Sequence, residues 1–326
     1  MNIVDGKKDE ILFHIGLHKT ASSSLQKDFF VPENGFISLN RNKLLHYFID
    51  KFSTELLSPT ESNDLKAFVK QSFNNNLYPV ASHERLSGYP LFGGYDRLSI
   101  LNRISKTNLN VKILYVIREQ NTWLYSSWKQ LIVDGSNISL DRYINSPPAH
   151  PDVAIPSIFR LEYLNYSREI KELYKLFGAE NVCVVPLELI GADFNGFIER
   201  LKKILNSDQI KISKDSLELS NKSQKLSSIY LQKFLNTYFF INSSSHFGLL
   251  DERYDLVRSI RGRIINFLNV IPELPWSHRA ALAHKNKIDS VIEDYYSLSN
   301  VETSDLIGID LSNYGYNTED SNRSKR

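Results

Sequence analysis

A chain of 326 residues, 42% hydrophobic and 23% charged, is long enough to bury a full core as one large domain or two small ones. Its formal net charge of +2 gives no electrostatic case for nucleic acid or an anionic membrane, so any basic patch has to be local. The single cysteine, Cys183, excludes an intrachain disulfide, fits a reducing compartment and, inside an apolar run, reads as core rather than nucleophile.

The first apolar run covers residues 11–15. Gly16 breaks it, and Leu25 and Phe29 then recur at helical spacing, which reads as strand, short polar turn, helix. Residues 42–52 and 65–73 carry helical spacing, and YPVASHE, 78–84, reads as a second short strand with Glu84 at its end. The glycines and prolines of SHERLSGYPLFGGYDR make a loop, followed by a short helix over 98–104. VKILYVI, 111–117, is the clearest strand, β-branched and apolar apart from Lys112, as in a buried parallel sheet. Then come a helix over 122–131, a loop with four prolines over 146–156 and an amphipathic helix over 159–177 with Gly178 at C′. A strand over 182–187 and a helix over 194–205 complete the alternation. This predicts an α/β core over about 10–205 with a parallel sheet covered on both faces. Helices over 226–239, 256–268 and 279–298 predict a helical C-terminal portion, about 215–315, of the same single domain 1–315, with 316–326 as a disordered polar tail. No apolar run approaches the ~20 residues that span a bilayer, and MNIVDGKKDE lacks a signal-peptide apolar region.

The chemistry is concentrated beyond strand ends, where open sheets of this kind bind ligands. At the first strand–helix junction the leading N–H groups lack intrahelical acceptors and the helix dipole adds positive potential. Small residues 21–24, hydroxyls and Lys19 make this a cradle for an anion. It is not a Walker A loop, which would need glycines where Phe13 and His18 stand. Arg118 closes the third strand, and a guanidinium forks well onto phosphate oxygens. The eight histidines show no metal-ligand spacing, so no zinc is expected, and no G-x-S-x-G is present.

The string G-L-H-K-T-A-S-S-S-L-Q resembles the 5′-phosphosulfate loop of sulfotransferases that use 3′-phosphoadenosine 5′-phosphosulfate, with Ala21 where glycine is usual. That resemblance implies a P-loop-like central parallel sheet flanked by helices, and places His18, Lys19, Thr20, Ala21, Ser22 and Ser23 around the 5′ end of the donor. Arg118 followed eight residues later by Ser126 is similar to the family's 3′-phosphate motif, with Ser127 as the register alternative. SHERLSG resembles the region where glycan-modifying members carry a glutamate base, which implies that role for Glu84. His83 is the alternative, with the better unperturbed pKa. Neighbouring strand residues point to opposite faces, so only one of the two faces the donor, and Glu84 is favoured. Asn221, Lys222 and Ser223 resemble a late polar loop that members contribute to nucleotide or acceptor; an N-capped surface helix is the other reading. SNVETSDLIGIDLSNYGY is similar to bacterial members, its Tyr314 and Tyr316 reading as packing residues.

The implied enzyme is a cytoplasmic, bacterial sulfotransferase acting on a hydroxyl, with carbohydrate as the first acceptor class and an amine as the second. No metal, nucleic acid or membrane partner is expected. Its rivals are a P-loop kinase using ATP and magnesium, and a scaffold that kept the nucleotide fold without the chemistry.

Overall fold

Five short runs of apolar residues pair as one all-parallel sheet: β1 Glu10–His14, β2 Phe36–Ser38, β3 Tyr78–Ser82, β4 Asn110–Ile117 and β5 Val182–Pro186, in the order β2-β3-β1-β4-β5. The computed structural model describes residues 9–41, 43–52, 54–88, 96–146, 159–206, 224–241, 250–251, 254–270 and 272–319. Every residue of β1, β3 and β5 is buried, the pattern of a parallel sheet covered on both faces. Register aligns Leu12 with Val80 on one side and with Lys112 on the other. Because β1 is central and the chain steps first to β2 and later to β4, the sheet's order reverses around β1, where ligands of such folds bind. Cys183 sits inside β5, where burial pushes its thiol up to about 12, so it is core.

The expected strands and most helices are present, with differences that have local causes. β2 is only three residues long, started by Gly35 at φ 86, too short for a periodic signal. The helix expected over 42–52 is instead broken into 3₁₀ turns at Leu39–Arg41 and Lys43–Leu45 and one turn of α-helix at His46–Ile49. The 159–177 segment divides because the Asn165 side chain accepts from the Arg168 N–H at 3.2 Å and starts a new helix, Tyr166–Phe177. The 279–298 segment divides at Glu293, which has φ 37, into Pro275–Ile292 and Ser297–Ile307. Most of the four-proline loop lies outside the described residues.

The chain forms two compact units, each built from separate segments. Met1–Glu119, Glu162–Ser220 and Tyr296–Arg326 make the first; Gln120–Leu161 and Asn221–Tyr295 make the second. Helix Gln120–Val133 belongs to the second unit and helix Ser297–Ile307 to the first. In the first unit Ser297–Ile307 packs on Tyr166–Phe177, joined by the Tyr174 hydroxyl donating to the Leu306 carbonyl at 3.0 Å and by the Lys171–Glu302 pair. Tyr316, read both as a packing residue and as the head of a disordered tail, is buried, and its hydroxyl donates to Glu188 at 3.2 Å; residues 320–326 lie outside the described part.

Candidate functional site

The ends of three neighbouring strands, β3, β1 and β4, carry Glu84, the loop around Lys19 and Arg118, all in the first unit. Beyond β1 the chain stays extended, with Ile15 N–H on Leu114 O at 2.9 Å and Leu17 N–H on Val116 O at 3.4 Å. It then turns sharply. Lys19 and Ala21 adopt φ 64 and φ 58, and the buried Thr20 between them donates its hydroxyl to the Leu17 carbonyl at 2.5 Å. The helix starts at Ser22 with Ala21 as an N-cap that brings no side-chain acceptor to the first N–H groups. The Ser22 hydroxyl is buried with no hydrogen-bond partner. Lys19 is exposed and Ser23 is exposed. Uncapped N–H groups, an orphan hydroxyl and a lysine fit an anion's demands. At Leu25–Phe29 the helix widens to a π-turn, closed by Phe30 N–H on Leu25 O at 2.8 Å.

β3 ends at Ser82, so Glu84 does not lie in a strand and face alternation does not choose between it and His83. Glu84 opens a 3₁₀ turn, Glu84–Ser87, capped by His83, whose Nδ1 accepts from the Arg85 N–H at 3.0 Å. That bond puts the proton of a neutral His83 on Nε2, which makes this ring a donor outward. Burial raises the Glu84 pKa, but its own backbone N–H, the imidazoles of His83 and His18 and the Gln26 amide outweigh it, and the carboxyl is held below its ordinary value. Burial lowers His83 against the pull of Glu84, and lowers His18 to about 4 in the same way. Near pH 7 the cluster is one carboxylate among neutral imidazoles.

The turn is anchored from behind. The Ser87 hydroxyl lies 2.8 Å from the Glu84 carbonyl and 3.4 Å from the Gly16 carbonyl, so its single proton serves one at a time. The Ser87 carbonyl accepts from Arg97 Nε at 2.6 Å and from the Tyr163 hydroxyl at 3.1 Å. Buried Arg97 pairs with Glu169 at 2.6 Å and lies 4.1 Å over the Tyr163 ring. Nearby, a cavity of about 260 Å³ is lined by Ser23, Gln26, Lys27, Phe30, Ser38 and Asn40 among others. Asn40 holds both backbone groups of Ser82, accepting from its N–H at 3.3 Å and donating to its carbonyl at 2.5 Å.

Arg118 leaves β4 and its guanidinium donates to the Lys19 carbonyl at 2.8 Å, tying the third strand end to the turn after the first. Its own carbonyl accepts from the Tyr166 hydroxyl at 2.6 Å. Burial lowers the Arg118 pKa, opposed first by Glu188; burial raises Glu188, whose carboxylate accepts from Glu119 N–H at 3.1 Å and from Tyr316. Ser126 and Ser127 are on helix Gln120–Val133 of the second unit; Ser126 is half-buried, and Ser127 is buried with an unpartnered hydroxyl. Asn221, Lys222 and Ser223 lie outside the described residues.

Several members of this arrangement carry no sequence signal. Ser87, Arg97, Tyr163 and Glu188 act through contacts far apart in the chain, and nothing local marks them. Gln26 did have one: it lies one helical turn beyond Ser22 and Ser23 and so faces the same end of the sheet. Among the described residues no group of His, Cys, Asp and Glu could hold a metal ion, and no helix is long and apolar enough to cross a membrane.

No family model matches this chain, and no curated protein matches it in sequence. Solved structures do. A crystal structure of a sulfotransferase from Alicyclobacillus acidocaldarius superposes with a TM-score of 0.50 at 14% identity, over 93% of this chain and 98% of that one. Mouse sulfotransferase SULT7A1, complexed with PAP, aligns over 92% of this chain and 89% of that one at 13% identity and TM-score 0.37. The first of these likenesses shows that the chain has the P-loop-like α/β fold in which a sulfotransferase is built.

Proposed function

We propose that this protein transfers a sulfuryl group from 3′-phosphoadenosine 5′-phosphosulfate to an acceptor hydroxyl, with carbohydrate as the acceptor class, in a cytoplasmic, bacterial setting. The observation that carries the reading is the convergence of an uncapped helix start with Lys19, an ionised Glu84 and Arg118 at three adjacent strand ends. The donor supplies the sulfuryl group and keeps the bonding electrons on its 5′-phosphate oxygen when the sulfur–oxygen bond breaks. Lys19 neutralises the charge that grows there, while the N–H groups of residues 20–23 and the hydroxyls of Ser22 and Ser23 hold the 5′ end, with His18, Thr20 and Ala21 shaping the turn. Glu84 takes the acceptor's proton. It suits the task better than His83 because its lowered pKa keeps it ionised, whereas His83 presents N–H. Arg118 grips the 3′-phosphate. The cavity beside Gln26 offers amide and hydroxyl groups around a phenyl face, a lining suited to a sugar ring. The scheme needs no metal.

The deciding experiment is mass spectrometry of the protein incubated with the sulfate donor and a panel of glycans, expecting an acceptor heavier by one sulfuryl group. Calorimetric preference for adenosine 3′,5′-bisphosphate over ADP separates this reading from a kinase; equal binding of the two would end it.

A further inference from the structure

His14, the last residue of β1, is wholly buried and plays no part in the scheme above. Its Nδ1 lies 2.7 Å from the Ser82 hydroxyl at the end of β3, and its Nε2 has no hydrogen-bond partner. An orphan ring nitrogen in so dry a place carries a penalty unless something meets it at some stage of the protein's work. Residues 14 and 16 of an extended segment share a face. A β-carbon on Gly16 would stand 2.8 Å from His14 Nε2 and 2.9 Å from Thr20 Oγ1, so both atoms close on one point that only glycine leaves open. Thr20 gives its proton to the Leu17 carbonyl, so its oxygen is left to accept.

We propose that His14 is a positioning residue which ties the anion loop to the strand end bearing His83 and Glu84. Ser82 donates to His14 Nδ1, His14 Nε2–H donates across Gly16 to Thr20 Oγ1 as the loop tightens on an anion, and Thr20 donates to Leu17. Every donor in this chain points the same way, from β3 through β1 into the loop. The ring stays neutral in this role: burial, opposed by the Glu84 charge, lowers its pKa to about 4. Glu84 and the donor loop are then set by one buried device, with Ser82 adjacent in sequence to the His83–Glu84 turn and Thr20 adjacent to Lys19. The inference rests on the reading above only in requiring that the loop takes a phosphate- or sulfate-bearing ligand.

The test uses the full chain with 15N-labelled histidine, titrated with adenosine 3′,5′-bisphosphate and separately with inorganic sulfate. The expected signature is a neutral His14 protonated at Nε2, whose N–H resonance moves downfield on saturation. A proton on Nδ1, or an Nε2–H that does not move when ligand binds, overturns the proposal. Two variants sharpen it: His14→Gln keeps an amide near Nε2, and His14→Asn keeps one near Nδ1. His14→Gln should bind the bisphosphate within a few-fold of wild type, and His14→Asn about tenfold more weakly, the size of one lost hydrogen bond. Equal binding by both, or the reverse order, refutes the role. Should wild type bind sulfate with the expected shift yet show no preference for the bisphosphate, the functional reading fails and this inference stands.

Discussion

Lys19 stands in solvent on a loop, so its removal separates chemistry from folding. In the proposed scheme Lys19 faces the departing oxygen, so Lys19→Ala should lower turnover by roughly two to three orders of magnitude. Its melting temperature should stay at the wild-type value, which differential scanning calorimetry checks. Arg118→Ala should lose about 1.5–3 kcal/mol of affinity for adenosine 3′,5′-bisphosphate and with it the preference over ADP, read by calorimetric titration of both nucleotides. The 2.8 Å bond from Arg118 to the Lys19 carbonyl adds a second effect: kcat should fall as well as KM rise, because the arginine also braces the loop that carries the lysine. Ala21 has φ 58, a left-handed conformation that costs an L-residue roughly 1 kcal/mol or more. Ala21→Gly should therefore stabilise the protein by up to about 1 kcal/mol, the relief of strain less the added freedom of the unfolded chain, measured by urea titration. A loss of stability would mean that the alanine methyl packs usefully.

The short turn Glu84–Ser87 depends on a buried ion pair behind it. Arg97 and Glu169 are 7% and 19% exposed in their side chains, and Arg97 reaches the Ser87 carbonyl. Glu169→Ala leaves a buried guanidinium uncompensated and should destabilise the protein by about 3–5 kcal/mol. Denaturant unfolding of the variant measures this, and a change below 1 kcal/mol would show the pair to be dispensable. Legibility in the sequence follows the same division between local and distant causes. β4 and β5 were plain because a covered parallel strand is a continuous apolar run. The strand, turn and helix start around β1 were plain because Gly16 breaks an apolar run and Leu25 and Phe29 then recur at helical spacing. The turn at Glu84 was misread as strand end because nothing in YPVASHE says that pairing stops at Ser82. The Asn40 side chain, 42 residues earlier, holds both Ser82 backbone groups where the chain leaves the strand for the Glu84–Ser87 turn. The boundaries of the two units were equally invisible, since each unit is assembled from segments far apart in sequence.

At the scale of the molecule, buried neutral histidines make stability pH-dependent. His14 and His18 are both lowered from 6.5 to about 4, chiefly by burial. Below 6.5 these two side chains take up protons in the unfolded chain that they refuse in the fold, so their contribution to stability falls as pH drops from 6.5 toward 4 and is constant above that window. Each histidine contributes a slope of at most about 1.4 kcal/mol per pH unit. Urea titrations across this range should show the decline, shallower in His14→Gln than in wild type; parallel curves would mean that His14 is protonated in the fold. The interleaving of segments has a consequence for biosynthesis. Helix Ser297–Ile307 and Tyr316 cover the first unit, yet they leave the ribosome after both excursions of the chain into the second. The loop after β1 is made before the chain first enters the second unit, and the helix that packs on Tyr166–Phe177 only after it returns for the last time. Nascent chains stalled before residue 296 should expose the Tyr166–Phe177 face and leave Glu188 without Tyr316, and they should depend on chaperones until helix Ser297–Ile307 arrives.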